Sequence, residues 1–340
     1  MARRSFVNKD LAILMSHYDV TTYCFKTDSK ILTPVSFLLQ ALYLLVCGWK
    51  FDYYISFFAG YHSLLPAIFS KWTGKKCFIF LGGTECFNYP TFKYGNFTKK
   101  WYGKSTCASV RRATLLIPVS ENLIRSQSEY YEGDSKTQGI YHWCAFLNVP
   151  YRVISLEFDP NKFYRQDIYR VENSFITVAF GIEGPAYIRK GIDKVILIAM
   201  HLPEYSFTII GCHKDDFPVP IPANVTLIPP VPYEDLPFHY SRHQFYLQLS
   251  IAEGFPSAIC EAMLCECIPV GSGVAALPVI ISTHGFIIGK RDDELILKTI
   301  RTALHYPEKK KLGQMAREHI ISAFGPASRE KEILKIFSEF

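Results

Sequence analysis

The sequence predicts an α/β protein made of two doubly wound domains with parallel sheets. Strand-like and helix-like segments alternate along the chain, a rhythm that favours parallel strands covered by helices. A length of 340 residues suggests about two domains. The chain is 49% hydrophobic and 20% charged, so it has enough apolar residues for two cores and is globular rather than disordered.

The elements of the first half are predicted as strands at 19–26, 52–58 and 77–83 and a helix at about 62–72. Between the first two strands, residues 31–49 run without a charge and are just long enough to span a bilayer. Pro34, Ser36 and Gln40 interrupt this run, and it lies between two strand-like segments. These features favour a buried helix over a membrane span.

The second half repeats the alternation, with strands at 174–182, 205–212, 224–231, 243–250 and 267–272 and helices at 192–202, 234–242 and 256–266. A last helical pattern, 314–340, is interrupted at Gly325-Pro326. Near 150–170 the chain changes from apolar to charged and carries two prolines, which indicates a joint. We therefore predict an amino-terminal domain at 1–165, a carboxyl-terminal domain at 166–322 and a final helix at 323–340 that crosses back to the first domain.

Charge and cysteine content narrow the function classes only mildly. A net charge of +6 fits a nucleic acid, a sugar nucleotide or an anionic membrane. The ten cysteines are scattered, and Cys265 and Cys267 form a C-x-C rather than a C-x-x-C, so no metal site is predicted. The segment MARRSFVNKD lacks the apolar stretch of a secretory leader. We expect reduced, mostly buried thiols in a cytoplasmic protein.

Two glutamates, Glu253 and Glu261, flank the start of a predicted helix in AEGFPSAICEA, residues 252–262. Pro256 is suited to the first helical position, where its missing N–H costs nothing. The amino-terminal end of a helix attracts anions, and a carboxylate there accepts hydrogen bonds from sugar hydroxyls. The spacing also fits a helix with a favourable acid in its first turn and a surface glutamate. Spacing alone leaves both interpretations open.

This stretch resembles the E-x7-E element of the retaining glycosyltransferases of family four, which have the GT-B fold of two Rossmann-like domains facing a central cleft. The sequence reads SIAEGFPSAICEAM at 250–263, followed by IPVGS. Further similar segments occur in the family's order: VISLEFDPNKF at 153–163, with Glu157 at the usual glycine, IRKGIDKVILIA at 188–199, FTIIGC at 207–212 and NVTLIPPVPYEDLP at 224–237. The resemblance covers about 110–340 well and the first hundred residues weakly.

The resemblance implies a donor site in the second domain. Glu261 would bind the ribose hydroxyls and Glu253 the hydroxyls of the donor sugar. Arg189 and Lys190, which alone would most often be a solvated helix start, would clamp the diphosphate without a metal. The remaining donor-binding candidates are Gly181 and Gly184, which lack a Cβ next to the phosphates, together with Gly211, Gly254, Phe255 and Pro256.

The acceptor side is predicted in the first domain, where CFIFLGGTE at 77–85 resembles a strand ending in H-G-x-D. Gly82 stands where some branches of the family carry histidine. Glu85 is a candidate for contacting the acceptor hydroxyl, or alternatively a helix cap. His62 is a second candidate, with a structural role as its alternative, and Gly83 and Thr84 complete the set. The family usually opens with a strand and a glycine-rich loop, whereas the first recognisable piece here, SFVNKDLAILMSHYDV, looks like the following helix. Two interpretations stay open here: the amino terminus is truncated, or the domain lacks its first strand.

A basic, aromatic segment follows at 88–112. Its cations are Lys93, Lys99, Lys100, Lys104, Arg111 and Arg112, and its aromatic residues include Tyr89, Phe92, Tyr94, Phe97, Trp101 and Tyr102. Bases stacked on aromatic rings would explain the pattern, but no nucleic-acid fold accompanies it, and no nucleic-acid partner is predicted. An anionic membrane explains it equally well, and a solvated lysine-rich loop is the alternative. Our hypothesis is that 92–112 binds the inner leaflet so that a lipid-linked acceptor reaches the cleft.

The resemblance as a whole implies a retaining, metal-independent hexosyltransferase that needs no cofactor. Its donor would be a nucleoside-diphosphate sugar, UDP more than GDP. Its acceptor would be a glycan or lipid-linked glycan of bacterial surface polysaccharide synthesis. The protein would be cytoplasmic and peripheral on the inner face of the plasma membrane. The alternatives are a GT-B sugar-nucleotide epimerase, for which the sequence lacks a strong acid–base cluster, and an inactive subunit that binds sugar nucleotides or acts as a scaffold.

Overall fold

Two parallel sheets organise the chain in a computed structural model that describes residues 5–26, 32–326 and 328–340. The helices are α1 (Ser5–His17), α2 (Thr33–Cys47), α3 (Tyr61–Thr73), α4 (Lys100–Val110), α5 (Ile140–Trp143), α6 (Pro185–Arg189), α7 (Ile192–His201), α8 (Leu236–Ser241), α9 (Ser257–Leu264), α10 (Leu277–Ile281), α11 (Asp293–Leu304), α12 (Lys309–Phe324) and α13 (Ser328–Glu339). The strands are β1 (Tyr53–Phe57), β2 (Lys76–Leu81), β3 (Leu115–Pro118), β4 (Ser126–Gln127), β5 (Thr137–Gln138), β6 (Val171–Val178), β7 (Phe207–Ile210), β8 (Val225–Ile228), β9 (His243–Gln248), β10 (Ile268–Ser272) and β11 (Phe286–Ile288).

The first sheet has three parallel strands in the order β1-β2-β3 and is covered on both faces. Side chains alternate across a strand, so β2 sends Phe78 and Phe80 to one face and Cys77, Ile79 and Leu81 to the other. The first face packs against α1 and α13, and the second against α2, α3 and α4. Burial on both faces explains why β2 reads as an unbroken apolar run.

The second sheet has six parallel strands in the order β11-β10-β9-β6-β7-β8. Counted from β6, this is the 3-2-1-4-5-6 order of a doubly wound sheet, whose strand order reverses between β6 and β9. The core of the sheet includes Phe175 stacked between Phe207 and Phe245, with ring centroids 4.8 and 5.0 Å apart. A crevice for a ligand is expected at the carboxyl ends of β6 and β9, where the crossovers diverge.

The carboxyl-terminal helix α13 packs on the first sheet, where Ile333 and Phe337 contact the cluster around Phe78. A buried ion pair fixes it there. Arg329 donates to both carboxylate oxygens of Asp10 in α1, at 2.7 and 2.6 Å, and to the carbonyl oxygens of residues 154 and 155. The chain therefore returns to its first half after α12. The domain boundaries at 165 and 322 stay predictions.

Most predicted elements occur, with ends moved by at most five residues, but the strand at 19–26 does not. A strand needs a hydrogen-bonded neighbour, and the described residues offer none here. Instead this segment lies along α2, with Tyr23 against Tyr43 and Phe25 against Phe37, each pair of ring centroids 5.1 Å apart. The apolar alternation therefore reflects packing on a helix.

The run 31–49 forms the predicted helix, α2, and Ile31 lies outside the described residues. The prediction that this helix is buried is wrong. Leu44 is buried in the core, but the other leucines of α2 point outward, and Leu38 and Val46 are 60% and 78% exposed. The helix is held by its polar residues, since Gln40 donates to the carbonyl of His62 at 2.9 Å and Ser36 to that of Lys26 at 2.8 Å. Of the helices in the described ranges, none is long and apolar enough to cross a membrane.

The expectation that every cysteine is reduced is also wrong, because Cys107 and Cys144 form a disulfide. Cys107 lies in α4 and Cys144 follows α5, and their Cα atoms are 5.3 Å apart although 37 residues separate them in sequence. Spacing along the chain did not reveal this proximity. Six of the remaining thiols are buried, as expected, while Cys24 is exposed and Cys47 half-buried.

Candidate functional site

The loops at the carboxyl ends of β6 and β9 meet at the reversal point of the second sheet and carry most of the predicted donor-site residues. The first loop, 179–184, contains Gly181 and Gly184. Both have left-handed backbone, with φ of 61° and 57°, and the space next to Gly184 is open for at least 4 Å. Such backbone favours glycine. This loop therefore leaves room for a ligand at the end of β6.

The two predicted cations lie at the end of α6, where Arg189 reaches the loop after β9 and Lys190 the loop after β6. The Arg189 guanidinium donates to the carbonyl of Ala252 at 3.4 Å and lies 4.1 Å from the centre of the Tyr94 ring. The Lys190 ammonium donates to the carbonyl of Phe180. Burial lowers the pKa of Lys190 from its usual value, and the nearby Glu253 carboxylate opposes that shift. The structure thus brings both cations to the crevice, next to Glu253.

Glu253 is held by a chain of polar side chains that begins in β9. Its Oε1 accepts from the Ser250 hydroxyl at 2.9 Å and from the Gln248 amide at 3.4 Å. Gln248 in turn accepts from the Tyr246 hydroxyl at 3.1 Å, and the Ser272 hydroxyl donates to the Ser250 carbonyl at 2.6 Å. A carboxylate whose neighbours fix its position is pre-organised to accept hydrogen bonds from a ligand.

Glu261 is buried inside α9, which begins one residue after the predicted start; Pro256 is the cap residue of this helix. The Glu261 carboxylate accepts from the Tyr233 hydroxyl at 2.8 Å and the Tyr240 hydroxyl at 3.4 Å. Burial raises the pKa of Glu261 to about 7, although both tyrosines and the Lys9 cation act to lower it. Glu261 also lines a small recess that is open to solvent, together with Lys9 and Tyr233. A buried carboxylate that titrates near neutrality is typical of a functional site.

The two halves of the chain touch at glycines beside these loops. A Cβ on Gly254 would lie 2.0 Å from the Gly82 carbonyl oxygen, and one on Gly83 would lie 2.9 Å from the Gly254 Cα. Only glycine permits this approach. Next in the chain, Phe255 packs between Phe158 and Phe324, with ring centroids 6.1 and 5.6 Å away. The loop after β2 therefore reaches the donor-side loop directly.

Gly211 follows β7 with φ of 99°, and its N–H donates to the Ile228 carbonyl at 2.8 Å. A Cβ there would lie 2.7 Å from the Phe180 ring. Gly211 therefore lets Phe180, in the first loop, pack against the end of β7. Its role in donor binding stays a prediction.

The acceptor-side candidates lie at the carboxyl ends of β1 and β2. Glu85 is buried, and its Oε1 accepts the N–H of Gly82 at 2.6 Å, while Thr84 donates to the Tyr94 hydroxyl at 3.5 Å. His62 contacts the carbonyl oxygens of Phe57 and Phe58 with one ring nitrogen, each at 3.0 Å, and burial lowers its pKa. These contacts favour the structural alternative for His62.

The basic segment 92–112 divides into a buried aromatic part and an exposed cationic part. Its six lysines and arginines are all exposed, whereas Trp101, at 70%, is the one exposed aromatic residue in this fully described segment. The Lys104 ammonium lies 5.0 Å from the Trp101 ring centre. Most aromatic residues here therefore pack inside the protein, and the exposed residues of the segment are its six cations and Trp101.

Three partners of the predicted residues were not proposed from the sequence. Tyr94 stacks on Arg189, Gln248 supports Glu253, and Tyr233 donates to Glu261. Tyr94 and Tyr233 both lie in segments that were singled out, but nothing in the sequence tells which carboxylate or cation they face. In the described parts of the chain, no group of three or more His, Cys, Asp or Glu side chains is arranged to hold a metal ion.

The carboxyl-terminal half is similar to a known family. Residues 184–319 match the sequence model described as glycosyl transferases group 1. This stretch runs from the start of α6 to α12 and includes Arg189, Lys190, Glu253 and Glu261. A comparison with curated protein sequences gives no match.

The whole chain is similar in fold to solved glycosyltransferase structures. Sucrose-phosphate synthase from Thermosynechococcus elongatus has a TM-score of 0.67 at 15% identity, over 94% of this chain and 80% of that chain. Anabaena HepE, solved with UDP and glucose, has a TM-score of 0.66 at 14% identity, over 97% and 89%. A glycosyltransferase from Rickettsia africae has a TM-score of 0.63 at 14% identity, over 97% and 87%. The fold is therefore GT-B, as predicted.

Proposed function

We propose that this chain is a retaining, metal-independent glycosyltransferase that takes its sugar from a nucleoside diphosphate, UDP rather than GDP. The observation that carries the proposal is the grouping of two carboxylates, Glu253 and Glu261, with two cations, Arg189 and Lys190, around the reversal point of the second sheet. A sugar nucleotide presents hydroxyls and a diphosphate, which are the groups these side chains bind. The family match of residues 184–319 and the UDP bound to HepE support this choice.

In this proposal Glu261 accepts hydrogen bonds from the ribose hydroxyls. An ionised carboxylate offers about four lone-pair sites, and the two tyrosines use only part of them. Glu253 accepts hydrogen bonds from the donor sugar, and the N–H groups of Gly254 and Phe255 complete that side of the site. The open space beside Gly184 takes the diphosphate, and Gly181 lies in the same loop.

The reaction breaks the bond between the sugar C1 and the diphosphate oxygen, and the acceptor oxygen bonds to C1 on the same face. The proton of the acceptor hydroxyl passes to the departing diphosphate. Negative charge grows on the diphosphate as the bond breaks, so cations fixed beside it stabilise the transition state more than the ground state. Arg189 and Lys190 would supply this stabilisation without a metal ion.

The acceptor would enter from the first sheet, over the loop that carries Gly83, Thr84 and Glu85. Contact between Gly254 and this loop supports the location, because it puts the acceptor side next to the donor sugar. We further propose a glycan or lipid-linked glycan acceptor in bacterial surface polysaccharide synthesis, and an anionic membrane contacted through 92–112 at the inner face of the plasma membrane. The exposed cations of that segment support the membrane contact.

Consumption of the donor tests the proposal. The protein is incubated with UDP-glucose and other UDP-sugars, and the released or transferred sugar is followed by proton NMR. We expect slow hydrolysis even without an acceptor, an α-configured first product from an α-linked donor, and a rate unchanged by EDTA. Binding of UDP without any turnover would make the chain an inactive sugar-nucleotide-binding subunit, and an epimerised UDP-sugar would make it an epimerase.

A further inference from the structure

The outer surface of α2 is apolar without interruption. Every exposed residue from position 32 to position 49 is apolar. We call this surface the leucine face, and it comprises Leu32, Pro34, Val35, Leu38, Leu39, Leu42, Leu45, Val46 and Trp49. A surface helix normally turns polar residues to solvent, whereas here Ser36 and Gln40 face the protein. An exposed apolar patch of this kind marks an interaction site.

The leucine face continues onto the next helix. Ile68 and Trp72 of α3 are exposed, and the Trp72 ring centroid lies 5.4 Å from that of Trp49. The two tryptophans form one end of the apolar surface, next to the exposed Lys50 and Lys71. Tryptophan flanked by lysine is the combination favoured where a protein meets the boundary between lipid and water.

The size of α2 fits a helix that lies on a bilayer rather than one that crosses it. Its 15 residues make a rod about 22 Å long at ~1.5 Å per residue, which is shorter than the ~30 Å hydrocarbon layer. A helix that lies in the interface buries one apolar face and keeps its other side on the protein. α2 meets both conditions, since its inner side packs against α3.

The charge around the leucine face matches an anionic surface. Between residues 31 and 120 the sequence has ten Lys and Arg residues but only two acids, Asp52 and Glu85. Asp52 pairs with Lys75 at 3.7 Å, and Glu85 is buried. Because α4 packs on α3, and α3 on α2, the cations of 92–112 lie in the same helical layer as the leucine face.

We propose that the leucine face inserts into an anionic lipid bilayer, with α2 parallel to the membrane and the cations of α4 on the lipid headgroups. This extends the proposed membrane partner from electrostatic contact by 92–112 to insertion of an apolar helix, and it does not depend on sugar transfer. A second copy of the chain fits the surface less well. A twofold contact sets the same patch against itself, which would bring Lys50 and Lys71 of one copy close to those of the other.

Flotation with lipid vesicles tests the proposal, with phosphatidylcholine alone and mixed with phosphatidylglycerol. One variant replaces three residues of the leucine face, Leu38→Gln, Leu42→Gln and Leu45→Gln. A matched control replaces exposed apolar residues of the second sheet's helices α7 and α12, Met200→Gln, Met315→Gln and Ile321→Gln. We expect the wild type and the control to bind anionic vesicles, and the leucine-face variant to lose at least about a hundredfold in partitioning.

Two further measurements separate insertion from adsorption. High salt should weaken but not abolish wild-type binding, because it screens the cations and leaves apolar burial intact. Brominated lipids should quench the fluorescence of Trp49 and Trp72, and the quenching should fall when both are replaced by phenylalanine. Trp101 and the half-buried Trp143 remain in that variant, so Trp101→Phe is added to it in a second step. Quenching that survives the first step and falls in the second would assign docking to 92–112 alone.

Vesicle binding by the leucine-face variant equal to that of the wild type would overturn the proposal. So would a wild type that ignores vesicles and forms a dimer which the same substitutions dissociate, because the occupant would then be a second copy. Donor hydrolysis by the leucine-face variant is measured in parallel. None of its substitutions lies in the proposed donor site, so unchanged hydrolysis shows that the variant is folded. If no sugar transfer is found with any protein, vesicle binding still tests the membrane proposal.

Discussion

Replacing Glu261 by glutamine should stabilise the free protein at alkaline pH and lower its affinity for a nucleotide. The carboxyl group is buried in α9 and its pKa is raised to about 7 by that burial, against about 4.5 in the unfolded chain. The folded protein therefore holds this proton more tightly than the unfolded chain does. The corresponding stability is present below about pH 4.5 and is lost as the pH rises through 7.

The size of the effect follows from the pKa difference. A shift from 4.5 to about 7 corresponds to about 3 kcal/mol of unfolding free energy at ~1.4 kcal/mol per pH unit. Glutamine removes the charge and keeps one oxygen to accept from Tyr233. At pH 8 we expect Glu261→Gln to be up to about 3 kcal/mol more stable than the wild type, and at pH 5 the difference should fall to about 1 kcal/mol or less.

Urea unfolding at pH 5 and pH 8 measures this difference, with Glu253→Gln as the matched control for a half-buried carboxylate in the same loop region. The same variants are titrated with UDP, which Glu261→Gln should bind more weakly because it offers fewer acceptor sites. If the stability difference between Glu261→Gln and the wild type were the same at both pH values, the burial argument would be refuted.

Three further results are expected. The affinity of the wild type for UDP should rise by up to about tenfold per pH unit as the pH increases toward 7, because ionised Glu261 accepts the ribose hydroxyls; calorimetric titration across pH 5.5–8 checks this, and a flat profile would contradict it. Tyr94→Leu should weaken UDP binding about 3- to 30-fold by removing the ring beneath Arg189, whereas Tyr94→Phe should keep wild-type affinity in the same titration. Asp10→Ala should cost about 3–5 kcal/mol in urea unfolding, because it leaves the buried Arg329 charge unpaired; a cost below about 1 kcal/mol would show that the Arg329 carbonyl contacts suffice.

The sequence predicted the second sheet well because its strands and helices follow local patterns, whereas the roles of the site residues stay predictions. Strand and helix periodicity identified β6 to β10, and the E-x7-E spacing located Glu253 and Glu261 at the loop and helix where the structure has them. The residues that these side chains contact could not be predicted from the sequence. Tyr233 meets Glu261 across 28 positions of sequence, and Tyr94 meets Arg189 across the cleft. Such contacts follow from the packing of whole elements.

The first half was harder to predict, because some of its hydrophobic residues lie on the surface and not in a core. In α2 an uncharged run gave the correct helix, but burial was inferred from hydrophobicity, and Leu38, Leu42 and Leu45 are exposed. Residues 19–26 alternate like a strand yet pack on α2. Hydrophobicity shows that a surface avoids water, without showing whether protein or another apolar phase covers it.

Thermal unfolding with a panel of UDP, GDP, ADP and their sugars tests the central claim most directly. Wild type is compared with Glu261→Ala and Lys190→Ala, each relative to its own midpoint without ligand. At a hundred times its dissociation constant a ligand adds about 2.7 kcal/mol of stability. We expect UDP and a UDP-sugar to stabilise the wild type and neither variant. A donor site at the ends of β6 and β9 would be contradicted if no nucleotide stabilised the wild type. It would also be contradicted if both variants were stabilised as much as the wild type.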